Sequence, residues 1–275
     1  MHTIPDWHEI IFISTAVMVL VFYACIFTKT VNKPTLLLSV VILVVTAIVQ
    51  FNVSPFPFYY TFALLGLLKL EFLRPYGLLL FSSLKSAYSG LFEEFFRSVF
   101  VVLYVKIRRK NAAKKNKVNY THIKTLDNQV YGLAFLYGII ESGRMVLQVF
   151  PGMLTIFQDR TLNVDILGTS QLAPIHPVYI VVFACAIILR YYIHLRFLQL
   201  SIYSLAAKRK WLYLLALLFH FSAGAIFGFY EVGTIERTII SLLVIEIIFV
   251  GIMTLLLSKF NLREQIIAKS MNKVC

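Results

Sequence analysis

The chain has 275 residues, 59% of them hydrophobic and only 14% charged, with a mean hydropathy of +0.80. That leaves too little polar surface to coat a water-soluble globule of this size, so the composition predicts an integral membrane protein and excludes a soluble enzyme. The net charge of +13 would suit a nucleic-acid partner, but its placement along the chain assigns it to a membrane interface.

The first apolar run is Ile10 to Phe27, within a candidate span at about 9–28. Asp6 and Glu9 flank it, in place of the basic start and small-residue cleavage site of a signal peptide, so it is predicted to be an uncleaved first span. Further apolar runs at 35–53, 75–105, 128–150, 176–206, 211–230 and 236–258 are each about 20 residues or longer, enough to cross a bilayer. Residues 57–73 are short, carry Lys69 and Glu71, and are bracketed by Pro55, Pro57 and Pro75. Lys and Arg collect at 29–33, at 106–124, at Lys208-Arg209-Lys210 and in the tail (Lys259, Arg263, Lys269, Lys273), while the connections near 54–57, 151–175 and 231–236 are poor in them. The positive-inside rule places the basic segments in the cytoplasm, and alternation then allows one crossing between 54 and 106. Residues 57–73 are therefore read as an interfacial or re-entrant segment. The predicted fold is all-α: a single integral membrane domain over 1–275, with about seven transmembrane helices, the N-terminus outside and the C-terminus cytoplasmic. Its expected surroundings are the lipid bilayer of a bacterial-type cell membrane, with no nucleic-acid partner.

Cys25, Cys185 and Cys275 are scattered and suggest neither a disulfide framework nor a cysteine metal site. The polar residues inside the predicted spans are more informative. Glu93, Glu94 and Arg97 lie within five residues of an apolar helix, and each ionised group at a bilayer centre costs at least about 2.5 kcal/mol unless partners offset it. Counted from the cytoplasmic helix ends, Glu94, Glu141, His194 and His220 lie about 10 to 13 residues in, roughly 15–20 Å deep at 1.5 Å per residue. Four helices thus bring carboxylates, a guanidinium and imidazoles to one level near the midplane. Arg97 projects between Glu93 and Glu94 and can pair with either. One carboxylate held by Arg97 leaves the other free to take a proton from water, with His194 and His220 orienting that water or stabilising an oxyanion. A divalent metal on the same Glu and His residues is the alternative, and spacing does not choose, because no His-x-x-x-His pair exists. Glu141 and Arg144, one turn apart, can form a structural ion pair. Arg190 and Arg196 flank His194 and are not ranked by spacing. Glu246 is a lone acid in the last span, and His8, His122 and His176 fall outside the membrane or at its edge.

The segment Ala87-Tyr-Ser-Gly-Leu-Phe-Glu-Glu-Phe-Phe-Arg97 resembles the Gly-Leu-Phe-Glu-Glu-x-x-Arg motif of YhfC-type membrane peptidases. These sit in the clan of glutamate-type intramembrane proteases with the CAAX prenyl protease and bacteriocin-processing family, PrsW and the Aph subunit of gamma-secretase. Tyr137-Gly-Ile-Ile-Glu141-Ser is similar to the family's Gly-His-Gly-Gly-x-Glu-Ala element, and Ile193-His194 and Leu218-Phe-His220 fall where its two helical histidines are expected. The resemblance covers roughly residues 80–230. It implies a peptidase acting on a membrane-embedded substrate, with Glu93 as base, Glu94 paired with Arg97, His194 and His220 in support, and Tyr137, Glu141 and Arg190 lining the site. Tyr137 stands where the YhfC-type motif has His, and Gly224 where the clan often has Asp or Asn. Tyrosine is a poor metal ligand at neutral pH, so no metal is assigned. Two other expectations stand beside the peptidase: an inactive scaffold or immunity-type protein that binds a membrane partner, and a proton-coupled transporter using the same groups as a relay.

Overall fold

The computed structural model describes residues 6–30, 33–53, 57, 59–61, 63–64, 77–114, 122–157, 177–230 and 235–271. These fold into α-helices, with no strand among the described residues. In chain order they are α1 (Asp6–Thr30), α2 (Lys33–Val53), α3 (Gly77–Lys114), α4 (His122–Phe157), α5 (Pro177–Ala206), α6 (Lys210–Tyr230), α7 (Ile235–Phe260) and α8 (Leu262–Met271). Of the segment 57–73, the described residues are helical, and Thr61 Oγ1 donates to the Pro57 carbonyl at 2.8 Å and lies 2.8 Å from the Tyr88 hydroxyl. The rest of that segment lies outside the described residues.

Two stretches, Ile180–Ala206 and Leu243–Phe260, are long and apolar enough by length and composition to cross a membrane. Ser14–Thr28, Leu36–Val49 and Lys210–Ile226 are apolar over shorter lengths. The helix that carries the glutamate pair is interrupted by Lys85, Glu93, Glu94 and Arg97, which lower its hydropathy.

Helix α5 is the hub. Most of residues 180–206 are buried, against few of 243–260, because α5 packs on α1, α3, α4, α6 and α7 together. Ile193, Phe197, Leu198, Leu200 and Ile202 fill the core around it. The outward faces of α1, α2, α6 and α7 are apolar too: Leu20, Leu37, Leu214 and Leu255 are 63–72% exposed.

The closest helix pairing, α3 against α6, depends on two residues without side chains. A Cβ on Gly224 would lie 2.4 Å from the Ser86 carbonyl oxygen, and one on Gly90 would lie 2.8 Å from His220 Cδ2. Small residues let helix backbones approach where dispersion and hydrogen bonds must hold them together. A side chain such as Asp or Asn at position 224 would have no room.

Helix α5 ends in a Schellman motif. The Arg209 amide donates to the Ser204 carbonyl at 2.8 Å and the Lys208 amide to Leu205 at 3.2 Å, with Lys208 at φ 61° in the place glycine usually takes. This tight reversal returns the chain into α6 and so fixes His194 and His220 on adjacent helices.

Candidate functional site

Glu93, Glu94, Arg97, Tyr137, Glu141, Arg190, His194 and His220 fall in one connected polar cluster between α3, α4, α5 and α6. On α3, the i,i+3 and i,i+4 spacing puts Arg97 beside both glutamates. Its Nη1 donates to Glu93 Oε1 at 2.7 Å, its Nε donates to Glu94 Oε2 at 3.0 Å, and Nη2 also reaches Glu94 Oε2. One guanidinium therefore holds both carboxylates, whereas the sequence reading gave it one and left the other free.

The two glutamates differ in surroundings. Glu94 and Arg97 side chains are fully buried, while Glu93 is 12% exposed. Glu94 Oε1 accepts from Ser201 Oγ, and Glu94 Oε2 lies 2.9 Å from His220 Nδ1. The His220 ring stacks on Phe197 with centroids 4.4 Å apart and planes 15° off parallel, and Gly90 lies close to its Cδ2 and Nε2 atoms. His220 is thus fixed by Glu94, not by the more accessible Glu93. The expectation that both histidines attend one water changes accordingly, because the two imidazoles are engaged by different carboxylates.

His194 lies against Glu141 instead. Its Nδ1 is 3.3 Å from Arg97 Nη1 and its Nε2 3.1 Å from Glu141 Oε2. Tyr137 packs against both Arg97 and His194, its ring 4.7 Å from the Arg97 guanidinium carbon and 5.5 Å from the His194 ring. Glu141, 31% exposed, is the most open acid of the cluster. It also accepts from Arg190 Nη1 at 3.1 Å.

Arg190 continues the network to α7, where its Nε lies 2.6 Å from Glu246 Oε1, with the Glu246 side chain fully buried. Arg196 points elsewhere and donates to Gln199 Oε1 at 2.7 Å. Spacing left the two arginines equal; the structure assigns Arg190 to the site. The side chains of Arg144, His8, His122 and His176 lie outside the described residues.

Sequence reasoning did not single out Ser201, although it stands seven residues after His194 and so on the same face of α5. Ser142 was also passed over. Its Oγ is 2.9 Å from the Tyr23 hydroxyl and 3.3 Å from the Ile187 carbonyl, which ties α1 to the helices beside Glu141.

Chemically, the cluster has a buried part and a more open part. Glu94, Arg97, Ser201 and His220 satisfy one another with almost no exposure, as buried charges must. Glu93, Glu141 and His194 form the open part, with one ligating atom from each lying within 4.8 Å of the others. Four carboxylates (Glu93, Glu94, Glu141, Glu246) meet two guanidiniums (Arg97, Arg190), so with neutral imidazoles acids exceed bases by two. The chain matches no family model, no curated protein and no solved structure.

Proposed function

We propose that this chain is a polytopic membrane protein that hydrolyses peptide bonds of membrane-embedded substrates. The resemblance of the Glu93-Glu94-x-x-Arg97 segment to glutamate-type intramembrane proteases supports the chemistry. The apolar outer faces of α1, α2, α6 and α7 support the location, since soluble monomers rarely expose contiguous apolar surface of that extent. In the proposed topology about seven helices cross the bilayer, with the N-terminus outside and the basic turns in the cytoplasm.

The single observation that carries the hydrolytic reading is the division of the polar centre. Two carboxylates with some exposure, Glu93 and Glu141, flank a buried imidazole, and a fully buried lock stands behind them. Glu93 takes a proton from water as the water oxygen attacks the substrate carbonyl, then gives that proton to the leaving amine as the C–N bond breaks; Arg97 holds Glu93 in place through the 2.7 Å bond. His194, with Tyr137 beside it, supplies the donor that stabilises the oxyanion. Glu94, His220 and Ser201 are positioning residues that fix Arg97.

The completeness of the lock favours a second reading. Glu94 has a partner on each oxygen, as a scaffold without catalysis would also require. One substitution separates the two. Glu93→Gln keeps an acceptor for Arg97 and removes the base. In liposomes with a panel of quenched-fluorescent single-span peptides, wild type should cleave at least one, and Glu93→Gln should be slower by about a hundredfold or more with unchanged thermal stability. Cleavage at the wild-type rate by the variant removes Glu93 from catalysis. Absence of cleavage by both proteins, with the variant less stable, supports the scaffold.

A further inference from the structure

The His194 side chain is 3% exposed, and its Nε2 lies 3.1 Å from Glu141 Oε2 without forming a hydrogen bond. If that nitrogen carries the ring proton, a donor is left unused in the interior beside a carboxylate. If it does not, a ring lone pair faces a carboxylate oxygen, which is repulsive unless a cation lies to one side of the line between them. A separation of 3.1 Å suits two ligands on one ion. With metal–ligand bonds of about 2.1 Å, adjacent ligands are about 3.0 Å apart in an octahedron and about 3.4 Å in a tetrahedron.

Glu93 supplies a third ligand. Its carboxylate, Glu141 and His194 come from three helices, and the three ligating atoms already fall within 4.8 Å of one another. The excess of two carboxylates over guanidiniums gives the same answer by charge: one divalent cation would neutralise it. We infer that Glu93, Glu141 and His194 bind one divalent first-row metal ion of the Zn2+ type, each through one atom, with a further position open to water. This site does not use Tyr137, so the loss of the family's histidine at that position does not count against it.

Arg97 sets a limit on affinity. Coordination through Nε2 puts the ring proton on Nδ1, which faces Arg97 Nη1 at 3.3 Å. Arg97 keeps Glu93 and Glu94 as its acceptors when the two donors separate. A metal bound here would lower the pKa of a bound water and polarise a carbonyl. Binding itself does not depend on the chain being a peptidase.

The test uses the full chain, purified in detergent without a polyhistidine tag, stripped with chelator and checked for helicity by circular dichroism. Titration with Zn2+, followed by desalting and elemental analysis, should leave one ion per chain. His194→Ala and Glu141→Gln should each weaken binding by about a hundredfold or more, whereas Glu264→Gln, on the exposed side of α8, should leave it unchanged. No retained metal in wild type, or equal retention in His194→Ala, overturns the inference. Should His194→Ala lose its helical spectrum, spin-echo spectra of the Cu2+-loaded wild type decide: one imidazole nitrogen is expected, and none overturns the site. Cleavage by wild type that retains no added metal rejects the site and keeps the peptidase, while metal retention without cleavage does the reverse.

Discussion

Arg97 has no exposed side-chain surface, and a guanidinium in that position persists only because Glu93 and Glu94 both meet it. Removing one member of a buried ion pair leaves the other charge uncompensated, at a cost of about 3–5 kcal/mol. Arg97→Gln is therefore expected to destabilise the fold by that amount, read as a lower midpoint in denaturing-detergent titration. An effect below about 1 kcal/mol would mean that Glu94 draws its stability from Ser201 and His220 alone. At this scale the sequence was informative where burial is most costly. Glu93, Glu94 and Arg97 stood out because lipid penalises them, and counting depth along the helices grouped them with Glu141, His194 and His220. The choice between Arg190 and Arg196 was not legible, because it depends on how α5 is rotated about its axis among its neighbouring helices. Nor was the role of Glu246, whose partner lies on another helix.

Helix ends and helix contacts follow different rules. Span limits drawn from bilayer thickness fall within a few residues of the helices for α1, α2, α5, α6 and α7. Helices α3 and α4 run past their predicted limits, to Lys114 and Phe157, since nothing in a helix requires it to stop at the lipid surface. Helix α8 was read as no more than a basic tail; its Leu262 and Ile266 are buried against the bundle, a contact that ten residues of weak periodicity do not announce. The α3–α6 contact was legible only as a puzzle, a glycine where an acid or amide was expected. Its structural content can be measured. Gly224→Ala places a methyl 2.4 Å from the Ser86 carbonyl oxygen and 3.0 Å from Ala87 Cα, both backbone atoms that cannot turn aside. The helices must separate, and a loss of about 1–3 kcal/mol is expected from overpacking. Because His220 is carried on α6 and Glu94 on α3, the same variant should weaken the 2.9 Å contact between them. An upfield or downfield shift of the His220 ring resonances would report this, and an unchanged spectrum together with unchanged stability would mean that the two backbones are not this close.

At the scale of the whole molecule, the charge alternation read from the sequence meets an independent constraint. Asp127, near the start of α4, accepts from the Tyr203 hydroxyl at 2.6 Å, near the end of α5, and from Arg263 Nε and Nη2 at 3.2 and 3.0 Å, on α8. Arg209 Nε, in the turn from α5 to α6, donates to Gln265 Oε1 at 3.2 Å. The start of α4, the basic turn at 208–210 and the C-terminal helix therefore share one end of the bundle. Those are segments that the positive-inside rule assigns to a common side from charge alone. Side chains in contact at one end cannot lie on opposite faces of a bilayer about 30 Å thick. The proposed topology therefore predicts a labelling pattern. On a background lacking Cys25, Cys185 and Cys275, single cysteines replacing Lys110, Lys208 and Glu264 should react with a membrane-impermeant maleimide only when the cytoplasmic face is exposed, as in inverted vesicles. A cysteine replacing Asp159 should react only from the other side. If Asp159 and Lys208 positions are labelled from the same side, α5 does not cross the membrane, and the seven-span arrangement fails. If Lys208 and Glu264 positions are labelled from opposite sides, the end cluster around Asp127 does not exist in the membrane. Uniform labelling of all four in intact vesicles would place the whole chain in water, where the exposed leucines of α1, α2, α6 and α7 could not remain uncovered.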